Sequence, residues 1–260
     1  MGRVSYDFSG RTVLVTGASR GIGLGVARGF ARAGAELAIL ADDAGVVEAA
    51  EALTQETGTR VTPLRCDITD ADQIDAALSG LDTIDVLVNN AGLERTTPLA
   101  EPGAEVEDTF RRIIDINVMG TYLMTRRALP KMQSGGRIIL TASIWGRTAV
   151  AEFSAYCASK HANIGFMRSI AHELGPRGIN VNAVCPGWVK TEAAVLTLER
   201  MAQSTGRAEE DLMQEVIGGQ VLSGLLEPDD MAAIYLFLAS DGARDITGQA
   251  YHLDRGEVMA

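Results

Sequence analysis

Residues 12–23 read Thr12-Val13-Leu14-Val15-Thr16-Gly17-Ala18-Ser19-Arg20-Gly21-Ile22-Gly23. The apolar run is typical of a buried strand, and the glycines follow it where the chain turns into a predicted helix of residues 21–33. Glycine lets the backbone turn tightly and approach a pyrophosphate, whose charge the free amides and dipole of a helix N-terminus stabilise. The stretch therefore predicts a dinucleotide-binding turn, the alternative being a tight turn alone.

Apolar, strand-like runs alternate with helix-like stretches along the whole chain. After residues 12–16, further strands are predicted at residues 36–41, 60–66, 84–89, 137–142, 180–185 and 249–253. This alternation is typical of a parallel sheet with helices on both faces. A chain of 260 residues can bury one such core, and no repeat or linker divides it. We predict a single-domain α/β fold over residues 1–260.

One segment interrupts the alternation. Residues 191–226 are long, helical in pattern and placed after the carboxyl end of a strand, where open sheets bind ligands. We interpret this segment as a substrate lid.

Composition and charge disfavour several classes of function. The net charge is −11 and no cluster of cations is visible, so nucleic-acid binding is not expected. The three cysteines, Cys66, Cys157 and Cys185, are predicted to be free thiols, and no residues have the spacing of metal ligands. No run of about 18 apolar residues could span a bilayer, and the amino-terminal residues lack the apolar core of a signal peptide. We expect a cytoplasmic protein that binds neither metal, membrane nor nucleic acid.

Two acidic residues, Asp42 and Asp43, follow the second predicted strand. A carboxylate at this place can accept hydrogen bonds from the adenosine ribose hydroxyls and would repel a 2′-phosphate, which favours NAD over NADP. The alternative is an aspartate that only caps the next helix. Arg20 favours NADP instead, because an arginine in the turn could pair with a 2′-phosphate. We expect Asp42 to prevail, since an unpaired carboxylate beside a phosphate is unfavourable.

A second group of residues indicates the chemistry. Tyr156 and Lys160 are four positions apart on a predicted helix and so share one face. A nearby ammonium and the positive nicotinamide would favour the ionised phenol, so that Tyr156 could take a proton from an alcohol as hydride leaves the same carbon. Ser143, at the end of a predicted strand, could hold the reacting oxygen. Asn117 lies in a long apolar stretch predicted to be helical, where a buried amide needs a partner or a water.

These residues give the chain its resemblance to the short-chain dehydrogenase/reductase family. Four motifs occur in the family's order over nearly the whole chain: residues 16–23, Asn89-Asn90-Ala91-Gly92, Ser143 with Tyr156-Cys157-Ala158-Ser159-Lys160, and Pro186-Gly187 leading to Thr191. The resemblance implies a Rossmann fold with a doubly wound, seven-stranded parallel sheet, usually in a homotetramer. It also implies that Asn117, Ser143, Tyr156 and Lys160 form a catalytic tetrad, with Asn117 holding a water of a proton relay.

The resemblance also implies most of the cofactor contacts. Asp67 would meet the adenine amino group, Lys160 the nicotinamide ribose, and Val189 and Thr191 the carboxamide. Together with the glycine turn and Asp42, the expected cofactor-binding set is Gly17, Ser19, Arg20, Gly21, Ile22, Gly23, Asp42, Cys66, Asp67, Ile68, Asn90, Ala91, Gly92, Tyr156, Lys160, Pro186, Gly187, Val189 and Thr191. One departure from the family stands near the carboxyl end, where Arg255 occupies a common glycine position.

Polar and aromatic residues beside the motifs suggest the substrate. Acids can hydrogen-bond several hydroxyls, and an indole face can lie against a sugar ring, so a sugar, polyol or other hydroxylated molecule is predicted. The alternative is that the charges are solvated and the tryptophans only pack the lid. The candidate substrate-binding residues are Ser143, Tyr156, Glu94, Trp145, Glu152 and Trp188.

Three functions are compatible with these patterns. The first is an NAD-dependent dehydrogenase that transfers hydride between nicotinamide and a secondary alcohol or ketone carbon, with Tyr156 as acid/base. The second is an NADPH-dependent carbonyl or 3-oxoacyl reductase. Asp42 is the residue that favours the first function over the second. The third is a nucleotide-binding scaffold that has kept the fold but not the reaction, for which the tyrosine and lysine would be unnecessary.

Overall fold

The computed structural model describes residues 4–259, and within them all side chains but those of Ser204 and Val216. Seven strands form one parallel sheet in the order β3-β2-β1-β4-β5-β6-β7. The doubly wound, seven-stranded α/β prediction is therefore confirmed, while the expected limits of residues 1 and 260 lie outside the described residues. The strands are β1 (Thr12–Thr16), β2 (Glu36–Ala41), β3 (Val61–Arg65), β4 (Val86–Asn89), β5 (Arg137–Thr141), β6 (Asn180–Pro186) and β7 (Ala250–Leu253).

Helices cover both faces of the sheet because successive strand residues point to opposite sides. Val13 and Val15 of β1 pack in one apolar core, whereas Leu14 between them packs in the other. The first core is completed by α1, α2 and α9, and the second by α3, α5 and α6. The helices are α1 (Gly21–Arg32), α2 (Gly45–Thr57), α3 (Ala71–Leu78), α4 (Ala104–Ile114), α5 (Thr121–Ala128), α6 (Ser154–Leu174), α7 (Glu192–Thr205), α8 (Glu209–Gly218) and α9 (Ala232–Ala239).

The stretch around Asn117 departs from the helix that we expected. Residues Asp115–Gly120 form a turn of π-helix between α4 and α5. A π-turn widens the helix by one residue and re-aims the side chains within it, and such turns occur frequently at functional sites. The expectation of one regular helix was therefore wrong at Asn117.

The region of residues 191–226 contains α7 and α8 and rejoins the sheet region at Leu226, which pairs with Val189 in an isolated parallel bridge. Hydrogen bonds from Arg255 hold the carboxyl-terminal end of this segment. The backbone of Arg255 takes a φ of 57°, and its carbonyl accepts hydrogen bonds from Val221 and Leu222. Its guanidinium donates to the carbonyls of Ser223 at 2.8 Å and of Leu225 at 3.2 Å. Arg255 thus ties the carboxyl-terminal tail to the segment after α8.

The strand-to-helix turn after β1 is closed by contacts that admit only glycine. A Cβ on Gly23 would lie 2.2 Å from the carbonyl oxygen of Gly17, and one on Gly17 would lie 2.7 Å from Cα of Ala91. Gly17 also has a φ of 64°, which disfavours other residues. These contacts bring β1, α1 and the chain after β4 together at the carboxyl edge of the sheet.

No helix within residues 4–259 is long and apolar enough to cross a membrane.

Substitution Gly23→Ala is expected to destabilise the fold by about 2 kcal/mol or more, because its methyl group would overlap backbone atoms that cannot move away. Thermal unfolding of the purified variant measures this. Gly165→Ala is the matched control: it adds the same methyl at an exposed position of α6, where nothing lies within 4 Å, and should leave stability equal or raise it by up to about 1 kcal/mol. Equal unfolding temperatures for the two variants would contradict the proposed packing.

Candidate active site

A cavity of about 390 Å³ opens at the carboxyl ends of the strands, a volume within the range of ligand sites. Most of the sequence-predicted residues line it. From the cofactor set these are Gly17, Ser19, Arg20, Gly21, Ile22, Asp42, Cys66, Asp67, Ile68, Asn90, Ala91, Gly92, Tyr156, Lys160, Pro186, Gly187, Val189 and Thr191, and from the substrate set Glu94, Ser143, Trp145, Tyr156 and Trp188.

Three predicted site residues do not line the cavity. Gly23 packs against Gly17 inside the turn, so it shapes the site without facing it. Asn117 is fully buried behind the cavity wall. Glu152 is exposed and has a φ of 67°, and its carbonyl accepts a hydrogen bond from Thr97, so the structure does not bring this residue to the cavity as we expected.

The floor of the glycine turn is held by Asn90. Its side-chain amide donates to the carbonyls of Thr16 at 3.1 Å and Gly17 at 3.0 Å, and its backbone N–H donates to the Thr16 hydroxyl at 3.0 Å. Glycine at positions 17, 21 and 92 leaves bare backbone along the cavity. This bare backbone beside the amino end of α1 fits a pyrophosphate, which needs amide donors and close approach.

The two acids after β2 have different roles. Asp43 accepts hydrogen bonds from the Ser19 hydroxyl at 2.8 Å, the Arg20 guanidinium at 3.0 Å and the backbone N–H of Gly45 at 2.9 Å. Asp43 is thus the acid that orders the start of α2, and it also holds Arg20. Asp42 is exposed on the cavity wall and makes no side-chain hydrogen bond or ion pair within the described part of the chain.

The next strand presents a second carboxylate to the same end of the cavity. Asp67 accepts hydrogen bonds from the backbone N–H of Thr69 at 2.9 Å and from its hydroxyl at 2.7 Å, and it lies 3.4 Å from Arg112. Although burial acts in the opposite direction, these hydrogen bonds lower the pKa of Asp67. It is therefore an ionised acceptor at neutral pH, as contact with an amino group requires.

Tyr156 and Lys160 share one face of α6, as their spacing predicted. The Lys160 ammonium donates to the carbonyl of Thr141 at 2.8 Å, and its nitrogen lies 5.4 Å from the centre of the Tyr156 ring. Ser143 follows β5, and its hydroxyl accepts the N–H of Trp145 at 3.2 Å and is a hydrogen-bond partner of Tyr156. The three side chains converge on one point of the cavity wall.

Burial controls the protonation of both ionisable partners. It raises the pKa of Tyr156 well above the ordinary value, with a further rise from the Glu94 carboxylate. It also lowers the pKa of Lys160 to about 8, against the attraction of Glu94. The expectation that a nearby ammonium favours the ionised phenol was therefore incomplete, because burial outweighs it in the protein alone.

Asn117 forms hydrogen bonds with the chain segment beside the cavity. Its side-chain oxygen accepts the N–H of Leu93 at 2.7 Å, and its amide donates to the Leu93 carbonyl at 3.0 Å and to the Ser159 hydroxyl at 2.9 Å. Its backbone carbonyl accepts the Thr121 hydroxyl at 2.8 Å. These bonds fix the segment between Gly92 and Glu94 that follows β4, and the expected water of a proton relay at Asn117 stays a prediction.

Glu94 is the carboxylate closest to the reacting groups. It accepts a hydrogen bond from the Thr197 hydroxyl at 2.7 Å and lies within hydrogen-bonding range of the Tyr156 hydroxyl. Burial raises the pKa of Glu94. Thr197 comes from α7, so this contact joins the segment predicted to be a lid to Glu94, which in turn interacts with Tyr156. The sequence had given no signal for Thr197, which is an ordinary polar residue in a helical stretch.

Aromatic rings form the wall opposite the glycine turn. The Trp145 ring lies edge-on to Tyr156 at 6.0 Å and to Trp188 at 6.2 Å between centroids, and 5.2 Å from Phe153. Such edge-to-face contacts stabilise the rings in fixed orientations. Two indole rings and the Glu94 carboxylate therefore line the cavity beside Tyr156.

Comparison with known proteins agrees with this geometry. A family model described as enoyl-(acyl carrier protein) reductase matches residues 17–257. The chain belongs to the short-chain dehydrogenase/reductase family. A D-beta-hydroxybutyrate dehydrogenase of Cupriavidus necator is 37% identical over 96% of this chain and 98% of its own length, and a galactitol 2-dehydrogenase of Agrobacterium fabrum is 35% identical over 96% and 98%.

A solved structure of this family has the same architecture. L-sorbose reductase from Gluconobacter frateurii, complexed with NADPH and L-sorbose, superposes with a TM-score of 0.89 at 28% identity, over 99% of this chain and 100% of its own. The protein is accordingly an oxidoreductase of the short-chain dehydrogenase/reductase family that uses a nicotinamide cofactor on alcohol or ketone substrates.

Substitution Tyr156→Phe is expected to lower kcat about 10²- to 10⁴-fold, because the hydroxyl that transfers the proton is lost while the ring and its packing remain. Steady-state assays with an accepted alcohol measure kcat, and the quenching of tryptophan fluorescence by reduced cofactor checks that binding persists. A variant with undiminished kcat would show that another group moves the proton.

Substitution Glu94→Gln is expected to move both limbs of the pH profile of alcohol oxidation toward lower pH. Removing the carboxylate lowers the pKa of Tyr156, which it now raises, and also lowers that of Lys160, which it now supports. The measurement is kcat/KM against pH for both forms of the enzyme. A uniform loss of rate without a shift would indicate that Glu94 has only a structural role.

Proposed function

We propose that the protein is an NAD(H)-dependent dehydrogenase that transfers hydride between nicotinamide and a secondary alcohol or ketone carbon of a hydroxylated small molecule. The choice of NAD depends on one observation, the division of roles between the two acids after β2. Asp43 neutralises Arg20, the cation available for a 2′-phosphate, whereas Asp42 is left unpaired on the cavity wall. A carboxylate there favours the two ribose hydroxyls of NAD.

The side chains of the chain supply the proton chemistry. When bound, nicotinamide supplies the hydride acceptor or donor. Ser143 and Tyr156 hold the reacting oxygen between them, and the ionised Tyr156 accepts the hydroxyl proton as the C–H hydride leaves and the carbonyl forms. Lys160, fixed by Thr141, holds a positive charge beside the phenolate. In reduction the same proton returns from Tyr156 to the oxygen.

A hydroxylated substrate is supported by the walls of the cavity. Glu94 can accept hydrogen bonds from a second hydroxyl near the reacting carbon, and the Trp145 and Trp188 rings offer flat apolar surface. Galactitol and L-sorbose, in the names of two similar proteins, are molecules of this kind. Homotetrameric assembly, a cytoplasmic location and a lid role for residues 191–226 stay predictions beside this proposal.

Two other functions fit less well. An NADPH-dependent reductase is favoured by the cofactor of the sorbose reductase, but here the Arg20 guanidinium is engaged by Asp43 and lies 3.6 Å from Glu192. A non-catalytic scaffold would not need Ser143, Tyr156 and Lys160 to converge in the cavity.

The cofactor proposal predicts that the protein binds NADH at least about tenfold more tightly than NADPH, and that Asp42→Ala reduces or reverses this ratio by removing the repulsion of the 2′-phosphate. Fluorescence titration of the purified protein measures both affinities. Asp82→Ala, which removes an exposed carboxylate before β4, should leave the ratio unchanged. A tenfold preference of the unsubstituted protein for NADPH would overturn the proposal.

The activity is tested by incubating the protein with NAD and a panel of secondary alcohols, polyols and sugars while following absorbance of the reduced cofactor. We expect turnover of at least one polyhydroxylated compound and its loss in Tyr156→Phe. The absence of turnover with every member, in either direction and with either cofactor, would contradict the dehydrogenase function.

A further inference from the structure

Two arginines, Arg95 in the cavity wall and Arg200 on α7, have a setting unlike that of most arginines on this acidic protein. Arg95 lines the cavity and is partly buried, and its guanidinium donates to the backbone carbonyl of Glu94 at 2.8 Å. Arg200, on α7, is also partly buried and lies close enough for its charge to act on that of Arg95. Like charges destabilise each other, so an anion bound by both arginines would relieve their repulsion.

The protein itself does not supply this anion. Among the described residues, neither Arg95 nor Arg200 forms an ion pair within 4 Å with any carboxylate. The carboxylate nearest in sequence, Glu94, attracts Arg95 only at longer range and is hydrogen-bonded to Thr197. By contrast, Arg20 and Arg112, which line the cofactor half of the same cavity, each pair with an aspartate. The pair on the substrate side is thus left for a ligand.

The placement of the pair follows from α7. Thr197 of this helix touches Glu94, and Arg200 is three residues later, on the same face of the helix. The Glu94 carboxylate interacts with Tyr156, whereas the Arg95 guanidinium is bonded to the Glu94 backbone carbonyl. Contacts thus run from Tyr156 to the Glu94 carboxylate and from Glu94 on to Arg95, with Arg200 on the adjoining face of α7.

This arrangement sets two requirements on a substrate, one at the reacting carbon and one farther along the molecule. An anionic group beside the reacting carbon would meet the Glu94 carboxylate and be repelled, whereas a hydroxyl there can donate to it. An anionic group farther along would meet two guanidinium groups, which bind carboxylate and phosphate oxygens in a bidentate manner. The geometry points to Arg95 and Arg200 as an anion subsite, so that, on the basis of the proposed function, the substrate is polyhydroxylated and carries a carboxylate or phosphate several carbons from the alcohol that reacts.

The test compares three ligands of the same carbon skeleton: D-glucitol, which is neutral, D-gluconate, which carries a terminal carboxylate, and D-glucitol 6-phosphate, which carries a terminal phosphate. Their affinities for the complex of the enzyme with NADH are measured by isothermal titration calorimetry, so that the cofactor phosphates are already in place. We expect at least one anion to bind about tenfold or more tightly than D-glucitol. Comparison of the two anions shows whether a carboxylate or a phosphate is the better ligand.

Variants then localise the effect. In the double variant Arg95→Gln/Arg200→Gln, the affinity for the preferred anion should fall about ten- to a hundredfold, while that for D-glucitol stays within about twofold. The double variant Arg207→Gln/Arg244→Gln is the matched control, because it removes the same two charges from arginines that already pair with Glu215 and Asp245, and it should change neither affinity. The melting temperature of each variant checks that it is folded.

Two results would overturn the subsite. One is equal binding of the three ligands, or no binding of either anion at millimolar concentration. The other is an equal loss of anion affinity in Arg207→Gln/Arg244→Gln, which would show a general effect of net charge. Both readouts are binding constants and need no turnover, so failure of the subsite is distinguishable from failure of the proposed dehydrogenase function, which is judged by cofactor reduction.

Discussion

The close approach of three backbone segments at the carboxyl edge of the sheet is the constraint on which the rest of the site depends. Gly17 and Gly23 let the turn after β1 fold onto α1, and Asn90, at the end of β4, binds the carbonyls of Thr16 and Gly17. Since β1 and β4 are neighbours in the sheet order, this contact lies where the chain changes direction of winding. It sets the distance between the bare backbone of the turn and the residues after β4 that lead to Glu94.

The catalytic half of the cavity is governed by the cost of burying charge. Burial raises the pKa of Tyr156 and lowers that of Lys160, so in the protein alone both groups tend toward neutrality. Glu94 supports the lysine charge and opposes that of the tyrosine. A positively charged nicotinamide would favour the phenolate, and release of Glu94 to a substrate hydroxyl would weaken its opposition. Ionisation of Tyr156 is therefore coupled to occupancy of the cavity.

Regular spacing made much of the protein predictable. The sheet was predicted from apolar runs that alternate with helix-like stretches, and the turn at Gly17 from the glycines between a strand and a helix. The face shared by Tyr156 and Lys160 follows from the period of 3.6 residues, which depends on local backbone geometry. Contacts between distant segments were not predictable. The bond between Glu94 and Thr197 spans 103 positions, and Asn117 reaches Leu93 through a π-turn that no apolar pattern indicates. Glu152 shows the converse, since proximity to Tyr156 in sequence did not bring it to the cavity.

The central claim, that one cavity seats a nicotinamide dinucleotide with its reactive ring against Tyr156, is tested most directly by a crystal structure of the protein with NADH. The account predicts the pyrophosphate at the amino end of α1, a ribose hydroxyl hydrogen-bonded to Asp42, and the nicotinamide between Tyr156 and Val189. A dinucleotide bound in the reverse direction, or held away from the glycine turn with Tyr156 out of reach of its ring, would contradict it.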